Sequence, residues 1–217
     1  MCTDGQSNDV DIQEYDAVFS LGSNCQTAYQ LRRLSLRREA GPLDWFVSKN
    51  IDQLIRLIDA RFAEFMDLGN LEKISAFRTC YCVRDTRYGI LSYHDFPITA
   101  KEADWALAYP EFKSKLIRRT ERMLQAWEAG ERLLFVRVNG GQDDGDRLYY
   151  SLKKQVKHSF DLIVIDTLAN ENAPVTRWVE PSGCIRYSIP KGNDWRGSDK
   201  AWNKLLESIR LRHCLSD

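Results

Sequence analysis

The sequence predicts an α/β fold, a three-layer sandwich with a mostly parallel sheet and an inserted antiparallel hairpin. Three observations lead there. The stretches "RLLFVRV" (132–138) and "DLIVIDTL" (161–168) are apolar without alternation, as strands covered on both faces must be. A helical stretch, "RLYYSLKKQVKH" (147–158), separates them and supplies the strand–helix–strand rhythm of parallel sheets. The 217 residues suffice for one full core, and no repeat, low-complexity tract or linker divides them.

In chain order, residues 1–14 are polar and acidic and read as a flexible N-terminal arm, and 15–217 read as a single domain. "YDAVFSL" (15–21) is a short apolar strand. Gly22 and Ser23 make the turn after it, and Ser23 or Asn24 can cap the helix that begins at Cys25. "EAGPLDWFVS" (39–48) is an ordered loop, and Asn50 caps a helix whose Ile51, Leu54, Ile55 and Ile58 follow helical spacing. "AFRTCYCVRD" (76–85) and "YGILSYHDF" (88–96) alternate around a polar turn and predict the hairpin. A long helix covers 107–129, stopped by Gly130. After the two central strands, "CIRYSI" (184–189) is a third, and Ser198 caps a last helix with Trp202, Leu205, Leu206 and Ile209 along its core stripe.

Composition excludes several function classes. Thirty-one basic and thirty-one acidic residues give no global attraction to nucleic acid or to an anionic membrane. No apolar run approaches the ~18 residues of a membrane span. The N-terminus lacks the basic and apolar regions of a secretory leader, so a cytoplasmic location is expected. The six cysteines are scattered without paired CxxC units, so neither a disulfide framework nor a metal site is expected. Cys80 and Cys82 share one strand face and read as core. With no GxGxxG, P-loop or HExxH, no cofactor is expected, and the partner is an unidentified small-molecule, peptide or ester substrate. "LRRLSLRR" (31–38) reads as a solvated helix face with some arginine left for an anionic ligand.

Ligands in open α/β sheets bind beyond the carboxyl ends of the strands. The first strand leads to Ser20, Ser23, Asn24 and Cys25, and a thiol at a helix N-terminus meets unpaired N–H groups that favour thiolate. The hairpin ends near His94. Among His94, His158 and His213 it is the candidate base, because His158 ends a helix and His213 lies close to the C-terminus. Asp44 caps its loop or orients His94, and Asp166 is likewise placed to orient a base. Asp95 ranks below both, since neighbours on a strand point to opposite faces. Arg137 and Asn139, at the end of 132–138, with Ser23 and Asn24 are candidates for oxyanion or substrate binding.

"SLGSNCQTAYQLRRLSLRREAGPLDWFVS", followed downstream by "YHDF", resembles an uncharacterised bacterial family labelled papain-like cysteine peptidases, over roughly residues 16–170. The resemblance implies a Cys25 nucleophile, a His94 base and, as the alternative fold, an α+β papain-like architecture. Two departures from papain stand out: Gln26 follows the cysteine where papain has an aromatic, and the second half alternates strands with helices. The opening motif also resembles SGNH-type esterases, which would make Ser23 or Ser20 the nucleophile and Asn139 an oxyanion donor. Their C-terminal Asp-x-x-His pair is missing, with Arg210 where the acid would stand. The remaining reading is a non-catalytic α/β module in which Arg32, Arg33, Arg37 and Arg38 grip an anion.

Overall fold

The computed structural model describes residues 11–99, 101, 104–138 and 145–212. The elements in order are β1 (Gln13–Tyr15), β2 (Ala17–Ser20), α1 (Cys25–Arg33), β3 (Phe46–Val47), α2 (Ile51–Asp59), β4 (Leu71–Phe77), β5 (Cys80–Asp85), β6 (Leu91–Pro97), α3 (Tyr109–Ala129), β7 (Arg132–Val138), α4 (Gly145–Gln155), β8 (Ser159–Leu168), β9 (Thr176–Val179), β10 (Ile185–Pro190), α5 (Asp199–Leu205) and β11 (Ile209–Leu211). The protein is mixed α/β.

Its main sheet has the order β2-β7-β8-β10-β9. The first four strands are parallel, and β9 pairs antiparallel to β10 at the edge. The two apolar runs, β7 and β8, are neighbours in register from Arg132↔Ser159 to Val138↔Ile165. Their lack of alternation has the expected cause. Leu133, Phe135, Leu162 and Val164 join one core with Trp127, Leu148 and Leu152. The intervening Leu134, Val136, Ile163 and Ile165 join a second core with Leu31, Trp202 and Leu205. Water is therefore excluded from both faces of the sheet.

The inserted antiparallel part is larger than a hairpin. It is a four-stranded sheet of order β3-β6-β5-β4. "AFRTCYCVRD", expected to be one strand, turns at Arg78, whose φ is +55°, so it contributes the end of β4 and the whole of β5. Most of β4 is exposed and lacks an apolar face, which is why alternation did not reveal it. The capping expectations hold at Asn50, which accepts from the Asp52 and Gln53 amides, and at Ser198, which accepts from Ala201. The N-terminal arm expected over 1–14 overlaps β1, which pairs in parallel with β11. Among the described residues, no helix is long and apolar enough to cross a membrane, and no cluster of three His, Cys, Asp or Glu could hold a metal ion.

Candidate active site

Cys25 is the first residue of α1, at the carboxyl end of β2. The turn before it needs a glycine. Gly22 has φ +83°, and a Cβ there would sit 2.7 Å from Ser48 Oγ. Asn24 is the N-cap, its side chain accepting from the Gln26 amide at 2.8 Å. Of the two cappers left open by sequence, Asn24 is used, while the Ser23 amide donates to Val138 at 2.8 Å.

His94 reaches the thiol from the other sheet. Its Nε2 lies 3.7 Å from Cys25 Sγ, a hydrogen-bonding separation for sulfur. A local irregularity in β6 aims it. Tyr81 pairs with Phe96 and Val83 with Ser92, so Tyr93, His94 and Asp95 lie opposite Cys82 alone. This bulge breaks the up–down alternation of the strand and lets His94 point outward beside a half-buried Asp95. Ser92 Oγ donates to Asp95 Oδ2 at 2.6 Å across the bulge, and Cys80 Sγ donates to the His94 carbonyl at 3.5 Å. The ranking of Asp95 by regular alternation therefore does not apply here.

Thiol and imidazole come from different sheets, and residues 46–48 join them. Phe46 and Val47 pair with Ser92 and Leu91 on the histidine strand. The Ser48 amide donates to the Ser23 carbonyl at 2.9 Å, next to the cysteine turn. Arg137, fully buried, donates to the Leu21 carbonyl and the Ser48 carbonyl, each at 2.7 Å, and to Ser48 Oγ at 3.1 Å. Its guanidinium thus braces the floor of the site.

Asp44 is buried in an ion pair with Arg37, and its Oδ2 also accepts from the Gly41 amide at 2.9 Å. Its other oxygen, Oδ1, has no hydrogen-bond partner among the described residues. Burial pushes the Asp44 carboxyl above its ordinary range, while Arg37, the Gly41 amide and Arg119 pull it back. Asp166 is engaged by both oxygens with Arg186 at 3.0 Å, and no hydrogen bond links it to His94. Asn139, with Gly140 and Gly141, lies outside the described residues, as does His213. His158 bonds the Glu128 carbonyl at 2.9 Å. The arginines of "LRRLSLRR" are largely occupied: Arg33 by Gln30, Asp199 and Asn203, Arg37 by Asp44, and Arg38 by the Arg212 carbonyl.

The thiol's environment differs from the thiolate-favouring one expected of a helix N-terminus. Burial pushes the Cys25 pKa up, its own backbone amide pulls it down, and the charges of Asp44 and Asp95 push it up again. The balance of these effects favours the protonated thiol over the thiolate.

Residues 16–162 match the family described as "Putative papain-like cysteine peptidase (DUF1796)". The chain belongs to this family. The match begins just before β2 and ends within β8, so it contains both Cys25 and His94. An uncharacterised protein of Acanthamoeba polyphaga mimivirus is 33% identical over 138 residues, 56% of this chain and 61% of that protein. The chain thus spans about three fifths of the length of that curated relative. No solved structure matches it. Sequence reasoning places Ser92, His94 and Asp95 together at the strand end but misses the Ser92–Asp95 bond across the bulge. The available signal was a Ser and an Asp three apart within one strand, a spacing that a regular period of two does not bring together.

Proposed function

We propose that the protein is a thiol hydrolase acting on an amide or ester, with Cys25 as nucleophile and His94 as base. The 3.7 Å approach of Sγ to Nε2 carries this reading. His94 takes the thiol proton as Sγ attacks the substrate carbonyl. The backbone N–H groups of Asn24 and Cys25 donate to the oxyanion that forms. His94 then returns the proton to the leaving amine or alcohol as the C–N or C–O bond breaks, and water, deprotonated by His94, releases the acid and restores the thiol.

The helix bearing the cysteine, set against an antiparallel strand bearing the histidine, is the local arrangement a papain-like label calls for. The parallel sheet with cores on both faces supports a three-layer architecture around it. Asp44 serves the site by holding the loop before residues 46–48 and by its charge, while the bulge orients the imidazole. Serine is the weaker nucleophile: Ser20 is buried, and its Oγ accepts from the Gly22 amide. Free Cys25, Cys80, Cys82 and Cys184 suit a reducing, cytoplasmic setting.

The test is hydrolysis of an activated thioester or ester by four variants, with circular dichroism as the folding control. Cys25→Ser and His94→Ala should each lose on the order of a hundredfold or more in rate, and His158→Ala should lose nothing. Full activity in Cys25→Ser with loss in Ser23→Ala would move the nucleophile to serine. Undiminished turnover in both Cys25→Ser and His94→Ala would end the hydrolase reading.

A further inference from the structure

The 190–199 segment, between β10 and α5, folds against the same helix that presents the thiol. Gln30 Nε2 donates to the Arg196 carbonyl and to Asp199 Oδ1, each at 2.7 Å. Gly197 packs so closely on Gln26 that a Cβ there would lie 1.8 Å from Gln26 Nε2. Asp194 closes the segment on itself, accepting from the Arg196 amide at 2.8 Å and from its guanidinium at 2.9 Å. Within this segment Trp195 sets its ring edge-on to Tyr29, 5.4 Å between centroids.

Tyr29 is four residues after Cys25, so the two share a helix face. Helical side chains lean toward the N-terminus, the direction in which Cys25 lies from Tyr29. Exposure along α1 agrees. Gln26, Thr27, Ala28, Gln30 and Leu31 are buried, whereas Cys25 and Tyr29 are half-open to solvent. Trp195, packed on Tyr29, leaves 57% of its surface in water, although the segment that carries it is anchored on α1. A large indole packed on Tyr29 and left uncovered, one ring away from the helix face that bears Cys25, offers apolar surface to whatever binds that face.

We propose that Tyr29 and Trp195 form the apolar subsite next to Cys25, selecting substrates with an aromatic or bulky aliphatic group beside the scissile carbonyl. This rests on the thiol-hydrolase reading for its substrate, but not for its test. An acyl group on Cys25 would lay its side chain along the tyrosine and stack it on the indole. The polar amide or ester linkage would remain at His94.

The experiment compares alkylation of Cys25 by N-benzyl-iodoacetamide and by iodoacetamide, each normalised to its rate with free cysteine and read by mass spectrometry of the Cys25 peptide. In the native protein the benzyl reagent should be favoured roughly tenfold, the ratio that one aromatic contact of about 1.4 kcal/mol supports. Trp195→Ala should bring the ratio to near one, Trp195→Phe should retain most of it, and Trp178→Ala, on the β9 edge, should leave it intact. A ratio unchanged in Trp195→Ala, or no preference in the native protein, overturns the subsite. A Trp195-dependent ratio combined with no loss of turnover in His94→Ala would keep the subsite and reject the hydrolase, so the two failures are distinguishable.

Discussion

At Cys25, the helix N-terminus and the surrounding carboxylates act in opposite directions, and burial decides the outcome. The half-maximal pH for iodoacetamide labelling of Cys25 should lie above the ~8.5 of a free thiol. Asp95→Asn removes a negative charge that opposes thiolate and keeps an acceptor for Ser92, so it should move the labelling profile to lower pH. An unmoved or raised profile would show that Asp95 does not act on the thiol. The same shift bears on stability. Below the free-thiol pKa both folded and unfolded chains hold the proton. Above it the unfolded chain releases its proton first, so this contribution declines as pH rises through the folded pKa. The residue pair itself was legible: a cysteine opening a helix and a single histidine at a strand end are chemical types at marked positions. The sign of the pKa shift was not, because it is set by burial, which depends on how distant segments pack around the thiol, with the charges of Asp44 and Asp95 adding to it.

Among the elements, the loop from Arg37 to Ser48 does more than connect a helix to a strand. "GPLDWFVS" read as an ordered loop because Gly-Pro and two aromatics do not suit a solvated linker. What sequence could not supply is its double attachment, by β3 to the histidine strand and by Ser48 to the cysteine turn. Both are pairings with distant segments over only two or three residues, too short for any period to register. The loop's shape is held by the Arg37–Asp44 pair, whose side chains are 9% and 1% exposed. Breaking such a pair strands a buried charge. Asp44→Ala and Arg37→Ala should each cost about 3–5 kcal/mol in denaturant melts, and the double variant should cost clearly less than the sum of the two. Strict additivity would mean that the two side chains do not interact. β9 escaped sequence reading for the same reason as β3, and β11 was read as the end of the last helix because Ile209 continues the stripe of Trp202, Leu205 and Leu206, although α5 ends at Leu205. These strands are short edge pieces defined by their partners, whereas β7 and β8 announce themselves by being apolar on both faces.

For the molecule as a whole, the two ends of the described chain close on each other. β1 and β11 pair in parallel, the Gln13 amide donates to Ser208 at 2.8 Å, and the Arg212 amide donates to Tyr15 at 2.9 Å. Arg212 also reaches Asp16 at 3.1 Å and Glu131 at 2.8 Å. Beneath this clasp, buried Tyr15 donates to Asp161 Oδ2 at 2.7 Å and carries the Arg132 guanidinium 4.8 Å over its ring. The clasp thus ties the last strand to β7 and β8 at the centre of the main sheet. Truncation after Ser208 removes β11 and the buried Ile209. Losing one such side chain costs about 1.5–3 kcal/mol before the backbone bonds are counted, and for a domain of this size the melting temperature should drop by on the order of 5–10 °C. Tyr15→Phe keeps the packing and removes only the bond to Asp161, so it should lower stability by about 1 kcal/mol. Both follow from thermal melts monitored by circular dichroism. If the truncated protein melts at the native temperature, the β1–β11 pair lies outside the cooperative unit, and the sheet with its two cores folds without it.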